Sequence, residues 1–85
     1  MYLNSHRSVR YHDMTGHAFE RKIRRLGRIR GVSVCFDRRP GKGSHGRLYY
    51  GERFTTLKDR TKEIGPSLLT AMLHQLGLTR RDLED

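Results

Sequence analysis

The chain has 85 residues, of which 18 are Lys or Arg and 9 are Asp or Glu, giving a formal net charge of +9. This length allows one modest core and no second domain. Hydrophobic residues make up 34% of the sequence and recur periodically, so we expect a globular domain. Neither a bilayer-spanning run nor a secretory signal is recognisable, and the single cysteine fits a reducing compartment, so we expect a cytoplasmic protein with no membrane partner. The charge predicts an anionic partner, above all nucleic acid.

The positive charge is concentrated in the first two thirds of the chain. Residues 1–31 contain eight basic and two acidic side chains, and residues 32–64 contain eight and four. Residues 65–85 contain two basic and three acidic side chains. We therefore expect the first two segments to form the anion-binding surface and the last to supply core.

The start of the chain lacks a recognisable structural pattern. Residues 1–13 show neither strict alternation nor helical periodicity. We expect them to form a poorly ordered extension to a single domain over residues 14–85. Thr15 is a suitable N-cap, so the first helix is expected to begin just after it.

A basic helix is predicted over residues 17–28, because apolar residues recur there at helical intervals. The apolar positions are Phe19, Ile23 and Leu26. Gly27 or Gly31 can end the helix in the left-handed conformation. Another face carries Arg21, Arg25 and Arg28. Such a stripe is either an ordinary solvated surface or, given the net charge, a site for phosphate groups or an acidic partner.

Three strands are predicted at about residues 32–37, 45–50 and 53–57, where the sequence is rich in β-branched and aromatic residues. Gly51 and Glu52 suit a two-residue hairpin turn between the second and third strands. The resulting pairs are Tyr49 with Phe54, Leu48 with Thr55, and Arg47 with Thr56. One face then carries Leu48, Tyr50 and Leu57, and the other carries His45, Arg47, Tyr49, Phe54, Thr56 and Lys58.

A second helix begins at Gly65 and Pro66, because proline at the first helical position loses no needed hydrogen bond. Its expected apolar stripe comprises Leu68, Leu69, Met72, Leu73 and Leu76, and Gly77 can end it. The capping-box spacing from Thr79 to Asp82 favours one more helical turn. The order is therefore α-β-β-β-α, an α+β fold with two helices on one face of a three-stranded antiparallel sheet.

His45 is the histidine with the most informative context. It follows a glycine-rich basic segment that includes Lys42 and Gly43. Glycine lets backbone N–H groups approach an anion, so a phosphate bound there would lie within reach of the imidazole. The alternative is an ordinary turn that ends in a strand residue. The other histidines, whose spacing does not favour a metal site, are His6, His12, His17 and His74.

Aromatic side chains lie among basic ones in the predicted hairpin. The aromatic residues are Tyr49, Tyr50 and Phe54, and the basic ones are Arg47, Arg53 and Lys58. Such aromatic rings can stack on unpaired bases, or they can form cross-strand pairs in the core. The core interpretation is favoured for Tyr50, and both stay open for Tyr49 and Phe54.

These motifs together resemble the HicA-type toxins of bacterial toxin–antitoxin modules, which are mRNA interferases. The resemblance spans about residues 15–78. It rests on a basic helix ending in Leu26-Gly27 and on Lys42-Gly43-Ser44-His45 at the head of a hairpin. It continues with Lys62-Glu63-Ile64-Gly65-Pro66 and a leucine-rich helix that is followed by Gly77-Leu78.

The resemblance implies a fold similar to the double-stranded-RNA-binding domain and ribosome-independent cleavage of mRNA. It implies that His45 is the essential residue and that a HicB-type antitoxin binds the toxin and masks the site. No metal and no small-molecule cofactor are expected. The candidate RNA-binding residues are Lys42, Gly43, Ser44, Arg47, Tyr49, Lys58, Arg21, Arg25 and Arg28.

The chemistry expected of His45 follows from the substrate. RNA carries its own nucleophile, the 2′-hydroxyl group, so a nuclease must move protons and stabilise the phosphoryl oxygens. A histidine can act as general base or general acid near neutrality, and the surrounding cations argue for the role of base. Tyr49 is a candidate for the second group. Two alternatives remain: an RNA-binding module that does not cleave, and a basic surface made for an acidic protein partner.

Overall fold

The computed structural model describes residues 14–39 and 45–84, and the predicted extension at residues 1–13 lies outside this part of the chain. The elements are α1 (Gly16–Arg30), β1 (Val34–Asp37), β2 (Gly46–Tyr50), β3 (Arg53–Leu57), α2 (Pro66–Leu76) and α3 (Arg80–Leu83). The predicted α+β order is thus confirmed. Of the helices in the described ranges, none combines the length and apolar character needed to cross a membrane.

Helix α1 begins and ends at local capping residues. The Thr15 hydroxyl accepts a hydrogen bond from the Ala18 N–H at 3.1 Å, as the sequence predicts. The helix ends at Gly31, which adopts the left-handed conformation with φ 71°. Gly27 instead lies inside the helix, where a Cβ would be only 2.5 Å from Val34 Cγ2. Its missing side chain therefore lets the strand after α1 pack closely against the helix.

The three strands form one antiparallel sheet in the order β1-β2-β3. The predicted β2–β3 register is confirmed, with Tyr49 opposite Phe54 and Gly51 at the turn with φ 65°. Strand β1 begins at Val34, two residues later than predicted. The reason is that the Val32 N–H donates to the Gly27 carbonyl at 2.8 Å, which holds residue 32 at the helix end.

Helices α1 and α2 pack against the same face of the sheet, as predicted. The core contains Phe19, Ile23 and Leu26 of α1, Leu48 and Leu57 of the sheet, and Leu69, Met72, Leu73 and Leu76 of α2. Tyr50 packs against this core. The prediction that Leu68 belongs to the apolar stripe is wrong, because its side chain is 55% exposed. The buried positions of α2 recur from Leu69 at helical spacing, so Leu68 projects to one side of the core.

The predicted extra helical turn is present as α3. Its first turn is closed by the Asp82 carboxylate, which accepts a hydrogen bond from the Thr79 N–H at 2.8 Å. The same carboxylate pairs with Arg30 at 2.7 Å. This contact ties the last helix to the end of α1.

Candidate functional site

An open cleft of about 380 Å³ lies beside the end of β3. It is bounded by the start of α1, by residues 58–64 and by the first turns of α2. The apolar part of its lining is Leu57, Ile64, Leu68 and Met72. The polar part is His45, Thr56, Lys58, Asp59, Lys62 and Glu63. We call it the His45 cleft; its mixed lining suits a ligand with both an apolar and a charged portion.

His45 reaches the cleft because of its place beside the sheet. It directly precedes β2, whose first residue, Gly46, pairs with Leu57 of β3. The residue after Leu57 is Lys58, so both His45 and Lys58 flank this first pair, and both are exposed. A Cβ on Gly46 would lie 2.6 Å from Phe36 Cζ. Glycine after His45 therefore allows β1 to approach β2 at this end.

The connection from β3 to α2 is held by the start of α1. The Gly16 N–H donates to the Lys62 carbonyl at 3.1 Å, and the His17 N–H donates to the Arg60 carbonyl at 2.8 Å. The first N–H groups of α1 are thus bonded within the protein. The positive charge available to an anion in the cleft comes instead from Lys58 and Lys62.

Asp59 makes a tight turn within this connection. Its Oδ1 accepts hydrogen bonds from the Thr61 hydroxyl at 2.6 Å and from the Thr61 N–H at 3.0 Å. These two bonds hold the pKa of the Asp59 carboxyl below its ordinary value, and the bond from the Thr61 hydroxyl has the larger effect. Asp59 is therefore a carboxylate whose Oδ1 is already hydrogen-bonded within its own turn. It lines the cleft and lies between Lys58 and Lys62 in the sequence.

A second set of contacts fixes the same connection against α1 and β1. Glu20 accepts hydrogen bonds from Arg60 at 2.8 Å and from Arg24 at 3.0 Å. The Arg60 guanidinium carbon also lies 4.3 Å from the centroid of the Phe36 ring. Burial of Glu20 opposes its ionisation, but the bonds from Arg60 and Arg24 outweigh it and lower its pKa.

The outer face of the sheet, opposite the helices, carries two of the predicted RNA-binding residues. Arg47 and Tyr49 lie on β2 in the same side-chain alternation as His45. The Arg47 guanidinium carbon lies 4.4 Å from the centroid of the Phe54 ring, and the Tyr49 and Phe54 centroids are 5.4 Å apart. We call these three side chains the aromatic platform.

The basic stripe of α1 does not belong to the cleft. Arg21, Arg25 and Arg28 are all exposed, on the side of the helix away from its buried residues. Arg28 lies about 18 Å along the helix axis from Gly16, at the usual rise per residue. None of the three arginines lines the cleft, so the stripe is a separate surface.

The structure brings together only part of the predicted site. His45 and Lys58 meet at the cleft, whereas Lys42, Gly43 and Ser44 lie outside the described residues. The suggestion that Tyr49 supplies the second acid–base group does not fit. Tyr49 is four positions from His45 along the strand, about 13 Å, which is too far for both to act on one phosphate.

Sequence reasoning did not place Lys62, Asp59 or Glu63 in the site. They occupy a polar connection whose position depends on long-range hydrogen bonds to α1. The available signal was the presence of two lysines and two acids in the seven residues before Gly65-Pro66. These charged residues predict a polar connection, but they do not indicate which part of the fold the connection contacts.

Two further findings bear on function. Across residues 14–39 and 45–84, no group of three or more His, Cys, Asp or Glu side chains is arranged to hold a metal ion. Comparison of the chain with protein-family models, with curated proteins and with solved structures gave no match.

Proposed function

We propose that the protein is a toxin of a toxin–antitoxin pair that acts as an mRNA endoribonuclease, with its active site in the His45 cleft. The observation that carries the proposal is an exposed histidine sharing an open cleft with Lys58 and Lys62. An imidazole and two ammonium groups are the chemistry needed for cleavage of RNA by its own 2′-hydroxyl. The sequence resemblance to HicA-type toxins supports the same activity.

In the proposed reaction, the RNA 2′-oxygen attacks the adjacent phosphorus and the bond to the 5′-oxygen breaks. One group removes the 2′-hydroxyl proton and another protonates the departing 5′-oxygen. His45 performs one of these transfers. Lys58 and Lys62 bind the phosphoryl oxygens and stabilise the negative charge that grows on them in the transition state.

Glu63 is the proposed partner of His45 in proton transfer. Of the two carboxylates in the cleft, Asp59 is engaged by Thr61. Glu63 precedes the apolar floor at Ile64 and is exposed to the same space. With Glu63 in the cleft, the carboxylate takes the role of base that the sequence suggested for His45. It receives the 2′-hydroxyl proton while the imidazolium of His45 donates a proton to the 5′-oxygen, so the reaction balances. The product then ends in a 2′,3′-cyclic phosphate.

The proposed antitoxin, a HicB-type protein, covers this cleft. Leu68 is 55% exposed and lines the cleft together with Lys58 and Lys62. A partner that places an apolar side chain on Leu68 and carboxylates on the lysines would exclude RNA by occupying its site.

The decisive experiment compares the intact protein with His45→Ala and with His74→Ala, a matched change at an exposed histidine on α2. We expect induced expression of the intact protein and of His74→Ala to arrest growth with loss of mRNA, and His45→Ala to do neither. Purified protein should cleave an RNA oligonucleotide to a 2′,3′-cyclic phosphate and leave a substrate with 2′-deoxyribose at the scissile position intact. Equal activity of His45→Ala would refute the proposal.

A non-catalytic RNA-binding module is the second candidate, and the stripe of Arg21, Arg25 and Arg28 favours it. This surface is exposed, basic and separate from the His45 cleft. Binding of RNA that is lost when the stripe is neutralised, with no cleavage and no effect of His45→Ala, would establish that candidate.

A further inference from the structure

The proposed chemistry uses the outer face of the sheet only at the end that carries His45 and Lys58, and leaves the part around Phe54 unused. Both long helices pack on the opposite face, and Phe54 on the outer face is 39% exposed. Phe19 is fully buried and Phe36 is half-buried, so Phe54 is the most exposed of the three phenylalanines. Its neighbours on the face, Tyr49 and Arg47, are also planar groups.

The three side chains of the aromatic platform are grouped around Phe54, which contacts both of the others. Arg47 lies over the Phe54 ring, with its guanidinium carbon 4.4 Å from the centroid. A guanidinium held in this way can itself offer a planar cationic face to a nucleobase. Tyr49 lies beside Phe54 at 5.4 Å, with the two rings inclined at 46°. The platform therefore combines aromatic and cationic surface, as sequence-tolerant base binding requires.

The platform is connected to the His45 cleft by the strands themselves. Arg47 and Tyr49 follow His45 along β2, and Thr56 and Lys58 continue from Phe54 along β3. Tyr49 lies about 13 Å from His45 and Arg47 about half that distance, from the rise of a strand. A nucleic acid with its phosphate in the cleft can thus lay a flanking base on the platform.

We propose that the aromatic platform is a stacking site for an unpaired base of single-stranded RNA that flanks the phosphate bound in the His45 cleft. The location of that phosphate rests on the proposed function, whereas the stacking itself does not. In a duplex the faces of the bases are covered by their neighbours, and recognition relies on backbone shape and 2′-hydroxyl groups. An aromatic platform accordingly selects single strands.

The stacking is measured with Tyr49→Trp, which introduces the sole tryptophan of the chain. The probe is an RNA oligonucleotide with 2′-O-methyl groups, which has no nucleophile and is not cleaved. We expect the single strand to quench the tryptophan fluorescence, and the same sequence as a duplex, or as a fully abasic strand, to quench it much less. Equal quenching by single strand, duplex and abasic strand would overturn the proposal.

Affinity measurements provide the second arm. Phe54→Leu and Tyr49→Leu keep apolar side chains in the hairpin but remove the rings, and each should weaken single-strand binding by about 5- to 150-fold. Ile29→Ala, which removes a side chain that is 63% exposed on α1, is the control and should have no effect. Unchanged affinity in both leucine variants, with thermal unfolding showing that they are folded, would refute the site.

The two proposals fail in distinguishable ways. If His45→Ala keeps full nuclease activity while Phe54→Leu loses single-strand affinity, the stacking site stands and the catalytic assignment falls. If duplex RNA binds more tightly than the single strand and Phe54→Leu does not change its affinity, the protein recognises duplex RNA and the platform is not its binding site.

Discussion

Arg60 donates a hydrogen bond from Nη1 to Glu20 Oε1 at 2.8 Å, across 40 residues of sequence. Both side chains are largely buried, with exposures of 17% and 12%. Because Arg60 lies between the cleft residues Asp59 and Lys62, this pair attaches the wall of the His45 cleft to α1. The geometry of the candidate active site therefore depends on a contact outside it.

Substitution of Glu20 should destabilise the protein. Glu20→Gln weakens two charge-assisted hydrogen bonds, to Arg60 and Arg24, and we expect it to lower the free energy of unfolding by about 1–3 kcal/mol. Urea unfolding measures the change. Arg39→Ala is the control, since Arg39 pairs with Asp37 from a side chain that is 91% exposed, and it should show no measurable change. If both substitutions lowered the free energy of unfolding equally, the Glu20 contacts would contribute no more to stability than an exposed ion pair.

Acid should weaken the fold through the same carboxylate. The pKa of Glu20 is lowered in the folded protein, so the unfolded chain binds more protons just below the ordinary pKa of 4.5. The stabilisation is therefore complete above that pH and is lost as the pH falls through the folded pKa. Urea midpoints measured from pH 7 down to about pH 3 should fall less steeply for Glu20→Gln than for the intact protein. Parallel curves for the two proteins would contradict this assignment.

Two adjacent leucines of α2 should differ sharply when each is shortened. Leu69 is 0% exposed, and Leu69→Ala should cost about 2–5 kcal/mol of unfolding free energy because it leaves a cavity in the core. Leu68 is 55% exposed, and Leu68→Ala should cost less than about 1 kcal/mol. Denaturant unfolding of the two variants checks this contrast. A large decrease in the free energy of unfolding for Leu68→Ala would show that Leu68 packs in the core.

The cleft lysines should contribute to the salt dependence of RNA binding. If Lys58 and Lys62 each contact a phosphate, then each alanine variant should reduce the slope of log affinity against log salt by about 0.7 for a single strand. Titration of 2′-O-methyl RNA at several salt concentrations measures the slope. Lys22→Ala is the matched control, because Lys22 is exposed on α1 and does not line the cleft. A larger effect at Lys22 than at Lys58 would place the phosphate on the helix instead.

The local elements could be predicted because their signals lie within a few residues. The Thr15 cap, the Gly51 turn and the Pro66 start of α2 each depend on the conformational preference of one residue. The hairpin register follows from the length of its turn, which also explains why the pairing of Tyr49 with Phe54 was predicted correctly. Leu68 was misplaced because a run of leucines does not show which one faces the core.

The sequence by itself determined the element order and the two faces of the sheet, because caps, turns and side-chain alternation are local. It also pointed to His45, through the glycine-rich basic segment before that residue and the resemblance to HicA-type toxins. Only the tertiary structure decided that Lys62 and Glu63 share a cleft with His45. Their position depends on bonds from Gly16 and His17 to residues more than forty positions away in the chain. Such contacts form when the helix packs on the sheet, and no pattern within the connection itself encodes them.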